Sequence, residues 1–173
     1  ALGTFDESFW TDPKNPELDP YRVSKVLAEQ AAWDIAKQEQ LQLTTILPGA
    51  IFGPVLTTNL SSNGILLQLL NGLPAIPKVP LEVSDVRDLA RLHRLAFENE
   101  QAIGQRYLAA DQTMTMLAIA QAYQQAFPQL RIAARPLPNW ATRQLARVMP
   151  SMRTLVPMLH RRYHHTAAAA MTH

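Results

Sequence analysis

The chain contains no cysteine, which excludes disulfides and thiolate metal sites and is compatible with a reducing, cytoplasmic setting. Its six glycines nowhere gather into the glycine-rich turn that cradles a dinucleotide pyrophosphate. No apolar run is long enough to cross a bilayer, and residues 1–5 lack the basic and apolar regions of a signal peptide. Acidic residues stop at Asp111. Beyond it stand Arg131, Arg135, Arg143, Arg147, Arg153, Arg161 and Arg162, with His160, His164, His165 and His173. Such a tail can meet nucleic acid or an acidic membrane. Without an aromatic stacking pattern or a nucleic-acid motif beside the arginines, a solvated helical face or a protein-partner surface is expected instead. His164 and His165 have no cysteine, carboxylate or third well-spaced histidine with them, so no metal is expected.

What is present is a globular composition: 173 residues, 47% hydrophobic and 17% charged, enough for one core and a small lobe. Residues 1–18 read as a loop, because Asp12-Pro13 and Asn15-Pro16 are turn signals. Asp19-Pro20 opens a helix expected to run to about residue 39. Residues 42–47, β-branched and closed by Pro48-Gly49, read as a buried parallel strand. A helix is expected over residues 64–70, ending at Asn71-Gly72, and an irregular crossing over residues 73–80. Residues 81–84 form a brief strand, and Asp85 caps a further helix. Gly104 precedes a strand over residues 105–109. Residues 113–127 read as an amphipathic helix. A strand near residues 130–132 and a helix over residues 139–148 follow, and then a weakly patterned end with a short alanine run at residues 167–170.

The chemistry centres on Tyr21-Arg22-Val23-Ser24-Lys25. A tyrosine and a lysine four apart share one helix face, and an ammonium beside a phenol favours the phenolate. That arrangement suits proton transfer to a carbonyl receiving hydride. Ala28-Glu29 and Ala31-Ala32-Trp33 follow, then Pro48-Gly49-Ala50-Ile51-Phe52-Gly53-Pro54, then Val83-Ser84-Asp85-Val86-Arg87-Asp88-Leu89-Ala90 with His93. Asp6-Glu7-Ser8 and Phe9-Trp10-Thr11-Asp12 lie ahead of the helix. Together these resemble the extended short-chain dehydrogenase/reductase family, the NAD-dependent epimerases/dehydratases. Within it they are most similar to the dihydroflavonol-reductase-like branch and its bacterial aldehyde and ketone reductases. The resemblance runs from residue 1 to about residue 127.

By position the resemblance implies Tyr21 as general acid in reduction. It implies Lys25 as the partner of the nicotinamide ribose that also favours ionisation of Tyr21. Pro48, Gly49, Ala50 and Ile51 are implied as the nicotinamide-side cofactor contact. The residues agree, since glycine permits close backbone approach and open α/β sheets bind cofactors at strand C-terminal ends. Asp85, Arg87 and Asp88 are read as a cap and ion pairs, and His93 as an ordinary helix residue. The family's glycine-rich turn and its carbonyl-polarising Ser/Thr would lie upstream of Ala1. The absence of an initial Met fits a start inside a longer reading frame.

The expected fold is α/β: the C-terminal half of a doubly wound, Rossmann-like parallel sheet with a smaller, mostly helical substrate lobe. Residues 1–63 and 81–111 are assigned to an incomplete cofactor domain, and residues 64–80 and 112–173 to the lobe. Residues 65–70 and 73–77 are expected to shape an apolar pocket. The implied activity is reduction of a small aldehyde or ketone with NADP or NAD, NADP being favoured, and the isolated chain is expected to be inactive. A sugar-nucleotide epimerase or dehydratase, and a non-catalytic binding fragment, remain alternatives. No nucleic-acid or membrane partner is expected. The resemblance also implies a homodimer paired through the Tyr-Lys helix, which the residues themselves leave open.

Overall fold

A computed structural model describes residues 2–56, 62–71, 75–110, 112–130, 132, 135–153, 155–160 and 162–165. The alanine run at residues 167–170, and residues 72–74 of the expected crossing, lie outside them. Among the described residues no helix is long and apolar enough to cross a membrane.

Helix α1 (Pro20–Gln38) starts as the sequence predicts. The Asp19 carboxylate accepts the Arg22 N–H at 2.9 Å, and proline occupies the first turn. It ends where Gln40 takes φ +54° and the Leu41 N–H reaches back to the Ala36 carbonyl at 2.8 Å, a left-handed stop that glycine usually supplies. The chain returns as β2 (Thr45–Pro48), crosses Gly49, and continues as β3 (Ala50–Phe52). The two strands take different partners. β2 runs parallel to β6 (Arg106–Ala109), pairing Thr45 with Arg106. β3 runs parallel to β5 (Pro80–Asp85), pairing Ile51 with Ser84. The single strand expected over residues 42–47 is therefore shorter at its start and followed by a second across the glycine.

Helix α2 (Asn63–Leu70) stops at Asn71. Asp85 caps helix α3 (Val86–Glu98), its carboxylate accepting the Arg87 N–H at 2.8 Å. Gly104, at φ +79°, turns the chain into β6.

Four expectations are corrected. Residues 113–115 are not helical: β7 (Gln112–Thr115) pairs antiparallel with β5, and α4 (Met116–Ala126) begins only when Thr115 caps it by accepting the Ala118 N–H at 3.1 Å. The vacant edge of β5 decides this over helix propensity. The crossing segment is partly regular, since β4 (Ile76–Pro77) pairs in parallel with β8 (Pro136–Leu137). That pairing also displaces the strand expected near residues 130–132, of which Arg131 lies outside the described residues and Ile132 is buried without regular structure. Finally, the opening residues are not all loop. β1 (Leu2–Phe5) pairs in parallel with β9 (Arg162–His165) in the tail.

Helix α5 (Asn139–Val148), the short α6 (Pro150–Arg153) and a 3-10 turn over Val156–His160 complete the chain. The core joins Leu69, Ile76, Val79, Leu81, Met116, Ile119, Ala120, Ile132 and Leu159. Its members come from α2, β4, β5, α4 and the tail, so burial of apolar surface draws the late segments onto the sheet.

Candidate active site

Tyr21 and Lys25 lie in the first two turns of α1, and the structure brings them together. The Lys25 ammonium stands 5.4 Å from the centre of the Tyr21 ring, within cation–π range. Both side chains face solvent, Tyr21 at 70% exposure. Among the described residues no hydrogen bond engages either the phenol or the ammonium. Ser24, between them, has its hydroxyl committed to the Tyr21 carbonyl at 2.7 Å. The helix start is pinned from both sides: Arg22 pairs with Asp19, and its Nη2 donates to Met158 Sδ in the 3-10 turn at 3.6 Å. Partial burial disfavours the Asp19 charge, but hydrogen bonds and attraction from Arg22 outweigh it and hold the carboxyl below its usual range.

Pro48, Gly49, Ala50 and Ile51 form the corner where the chain passes from β2 to β3. Gly49 is required there by the sheet itself. A Cβ at this position would lie 2.2 Å from the Glu82 carbonyl oxygen and 2.6 Å from its carbon, so the close backbone approach expected of Gly49 is made to β5. Its N–H donates to Ser84 Oγ at 3.0 Å, and Ser84 Oγ donates to the Ala109 carbonyl at 2.5 Å. Pro48 is exposed, with Ala50 and Ile51 half-buried. Ser84 is 3% exposed. In the sequence it stands only as one position of a motif, because a lone serine in a short strand gives no sign of what it will bridge.

The residues most clearly missed are Glu29 and Arg106. Glu29 falls on the ridge of Tyr21 and Lys25, four residues on. Its carboxylate takes Arg106 Nε at 2.9 Å and Nη2 at 3.1 Å, together with the Thr45 hydroxyl at 2.9 Å and Trp33 Nε1 at 3.4 Å. Burial opposes its ionisation, yet hydrogen bonds from Arg106 and Thr45 and the attraction of Arg106 prevail and hold it below the ordinary carboxylate range. Arg106 also donates to the carbonyls of Glu7 and Phe9, the latter at 3.1 Å. The Trp10 ring lies 3.7 Å from its guanidinium carbon. The loop ahead of the helix is thereby fastened to β6.

Glu29, about two turns on from Tyr21 along α1, is thereby also bonded to Thr45 at the start of β2.

At the start of α3, Asp85 caps the helix as expected and itself takes Arg87 as its ion-pair partner at 2.5 Å, and hydrogen bonds from Arg87 lower the Asp85 pKa to about 2. Asp88 sits in the first turn, and exposed His93 places Nδ1 2.8 Å from the Leu89 carbonyl.

No family model matches the chain. Known proteins do. Cinnamoyl-CoA reductase CAD2 of Medicago truncatula is 32% identical over 113 residues, covering 65% of this chain and 34% of its own length. Dihydroflavonol 4-reductase of Callistephus chinensis is 30% identical over 139 residues, covering 76% of this chain and 38% of its own. The crystal structure of Gre2 from Candida albicans in complex with NADPH superposes with a TM-score of 0.68 at 31% identity, over 79% of this chain and 45% of that one. The chain spans less than half the length of these relatives, and its α/β fold with parallel strand pairs is that of Rossmann-like reductases. It belongs to the short-chain dehydrogenase/reductase family in its extended epimerase/dehydratase form, as its Tyr-Lys helix and glycine corner led one to expect.

Proposed function

We propose that the chain carries the catalytic dyad and nicotinamide-side corner of an NADP(H)-dependent reductase of small aldehydes or ketones. The observation that carries this reading is the solvent-facing Tyr21-Lys25 pair, one helical turn apart. A phenol and an ammonium that no hydrogen bond engages among the described residues suit a carbonyl oxygen and a ribose hydroxyl. The fit is to the nicotinamide side, since no glycine-rich turn for the pyrophosphate occurs in the sequence.

When bound, the nicotinamide supplies a hydride to the carbonyl carbon. The Tyr21 hydroxyl gives its proton to the carbonyl oxygen, yielding an alcohol. Lys25 holds the ribose and, as a fixed positive charge, stabilises the phenolate left behind. Pro48, Ala50 and Ile51 present the apolar edge against which the ring rests, while Gly49 keeps the corner tight on β5.

Residues 1–63 and 81–111 form the cofactor part in this reading, and residues 64–80 and 112–173 the substrate lobe. Most of the shared core comes from the second set. Of the stretches expected to shape an apolar pocket, Leu69 and Ile76 pack instead in the shared core, and residues 73 and 74 lie outside the described ones. Leu27 and Ile35, half-exposed on α1, suit pairing of two copies through that helix. A cytoplasmic setting suits a chain without cysteine.

The test is Tyr21→Phe in the product of the complete reading frame, assayed for NADPH-dependent reduction across small aldehydes and ketones. Turnover falls by about 10²–10⁴-fold, the scale of a lost general acid, with cofactor affinity largely intact. Unchanged turnover removes Tyr21 from the mechanism.

A further inference from the structure

We infer that Ser84 is a positioning residue for the cofactor corner, acting through the Gly49 amide. This inference rests on the proposed reductase reading. β2 pairs with β6, whereas β3 pairs with β5, so the chain changes sheet partners at Gly49. At that switch Ser84 Oγ accepts from the Gly49 N–H at 3.0 Å and donates to the Ala109 carbonyl at the end of β6 at 2.5 Å. One buried hydroxyl, carried by β5, thus joins the β2–β3 corner to the last residue of β6.

The direction of the two bonds is fixed by chemistry. A backbone N–H can only donate and a carbonyl can only accept, so the hydroxyl hydrogen points to Ala109 and a lone pair to Gly49. Two consequences follow. The Gly49 amide is committed inside the protein and is not offered to a ligand. The bridge also anchors the corner at Gly49, which has no side chain of its own to hold it. Sheet pairing alone does not hold this point, because the ladder bonds of β2–β6 end at Pro48 and Ala109 and those of β3–β5 begin at Ala50 and Val83. A corner that is not held must be ordered when the cofactor binds, and that cost falls on cofactor affinity.

The experiment has two arms. In the 173-residue chain, Ser84→Ala is expected to raise amide exchange at Gly49 by about tenfold or more, the effect of losing one hydrogen bond, while β2 and β6 stay protected. In the product of the complete reading frame, the same change is expected to raise the KM for NADPH by roughly tenfold with kcat nearly unchanged, since a looser corner weakens binding. Ser84→Thr, which keeps the hydroxyl, is expected to restore both readouts. Ser84→Val, which has threonine's shape without the hydroxyl, is not, and this pair serves where Ser84→Ala fails to fold. Unchanged exchange at Gly49 overturns the inference at its first step. Raised exchange with an unaltered KM, or equal behaviour of the Thr and Val variants, overturns the positioning role. If instead Tyr21→Phe keeps full turnover, the reductase reading fails while the exchange result at Gly49 stands.

Discussion

Glu29 and Arg106 meet as a two-point ion pair across 77 positions of sequence, with both side chains only 13% exposed. The pair joins the Tyr-Lys helix to β6 and, through Arg106, to the backbone of the preceding loop. Removing one partner leaves the other charge buried, so Glu29→Ala is expected to cost about 3 kcal/mol in denaturant unfolding. Arg106→Lys, which keeps the charge but loses the fork, should fall between that variant and the parent. The pair also sets a pH dependence. The folded Glu29 pKa is lowered, so its stabilisation is complete above the ordinary glutamate value of about 4.3 and is lost as pH falls through the folded value. The stability gap between parent and Glu29→Gln should therefore close on acidification. A gap constant down to pH 3 would refute the coupling.

Two glycines respond in opposite directions to alanine. Gly49 has no room, because the obstructing atoms are the Glu82 backbone, and Gly49→Ala is expected to lose about 3 kcal/mol or more, the upper range for overpacking. Gly64, in the first turn of α2, has nothing within 4 Å of an added Cβ. Gly64→Ala should gain about 0.5–1 kcal/mol from reduced unfolded-state freedom and better helix propensity. Urea midpoints of the two variants, at equal slopes, check both.

The sequence disclosed what is local. Asp19-Pro20 and Asp85 announce helix starts because a cap acts within three residues, and Tyr21-Lys25 is legible because a helix fixes the i, i+4 relation. Gly49 reads in the sequence as a place where a ligand nears the backbone, whereas what lies against it here is the Glu82 backbone, which depends on pairing between β3 and β5. Residues 113–115 differ from their expected helix for the same reason. Thr113 and Met114 fit a helix as well as a strand, and the edge of β5 decides. β4, β8, β1 and β9 are short and pair across long intervals, so no periodicity marks them. The Glu29–Arg106 pair and the Ser84 bridge are non-local, and isolated charged or small polar residues do not name their partners in advance.

Asp85 offers a second pH readout, free of the buried pair. Its carboxylate caps α3 and accepts from the Arg87 side chain, and its pKa is lowered to about 2. A depressed acid stabilises the fold above its unfolded pKa, about 3.9, and that contribution fades as pH falls toward 2. Carboxyl-carbon NMR titration should place the Asp85 midpoint near 2. Arg87→Ala should move it upward, and Asp85→Asn should flatten the acid limb of the stability curve. A midpoint near the ordinary aspartate value would show that the Arg87 pairing does not persist in solution.

Cofactor affinity separates the two halves of the dinucleotide site. In the proposed reading, Tyr21, Lys25 and the Pro48–Ile51 corner serve the nicotinamide side. Its glycines stand at positions 3, 49, 53, 64, 72 and 104, none in the spacing that lets a helix N-terminus cradle a pyrophosphate. In this fold that turn supplies backbone N–H donors to the diphosphate, so their loss removes the strongest charge-assisted bonds available. The 173-residue polypeptide should therefore bind NADPH only in the millimolar range, worth roughly 4 kcal/mol, when followed by nucleotide fluorescence. Lys25→Ala should abolish that residual binding if the ribose contact carries it. Micromolar binding by the 173 residues would mean that the diphosphate finds donors elsewhere on this chain, and the assignment of the cofactor to the corner would have to be withdrawn.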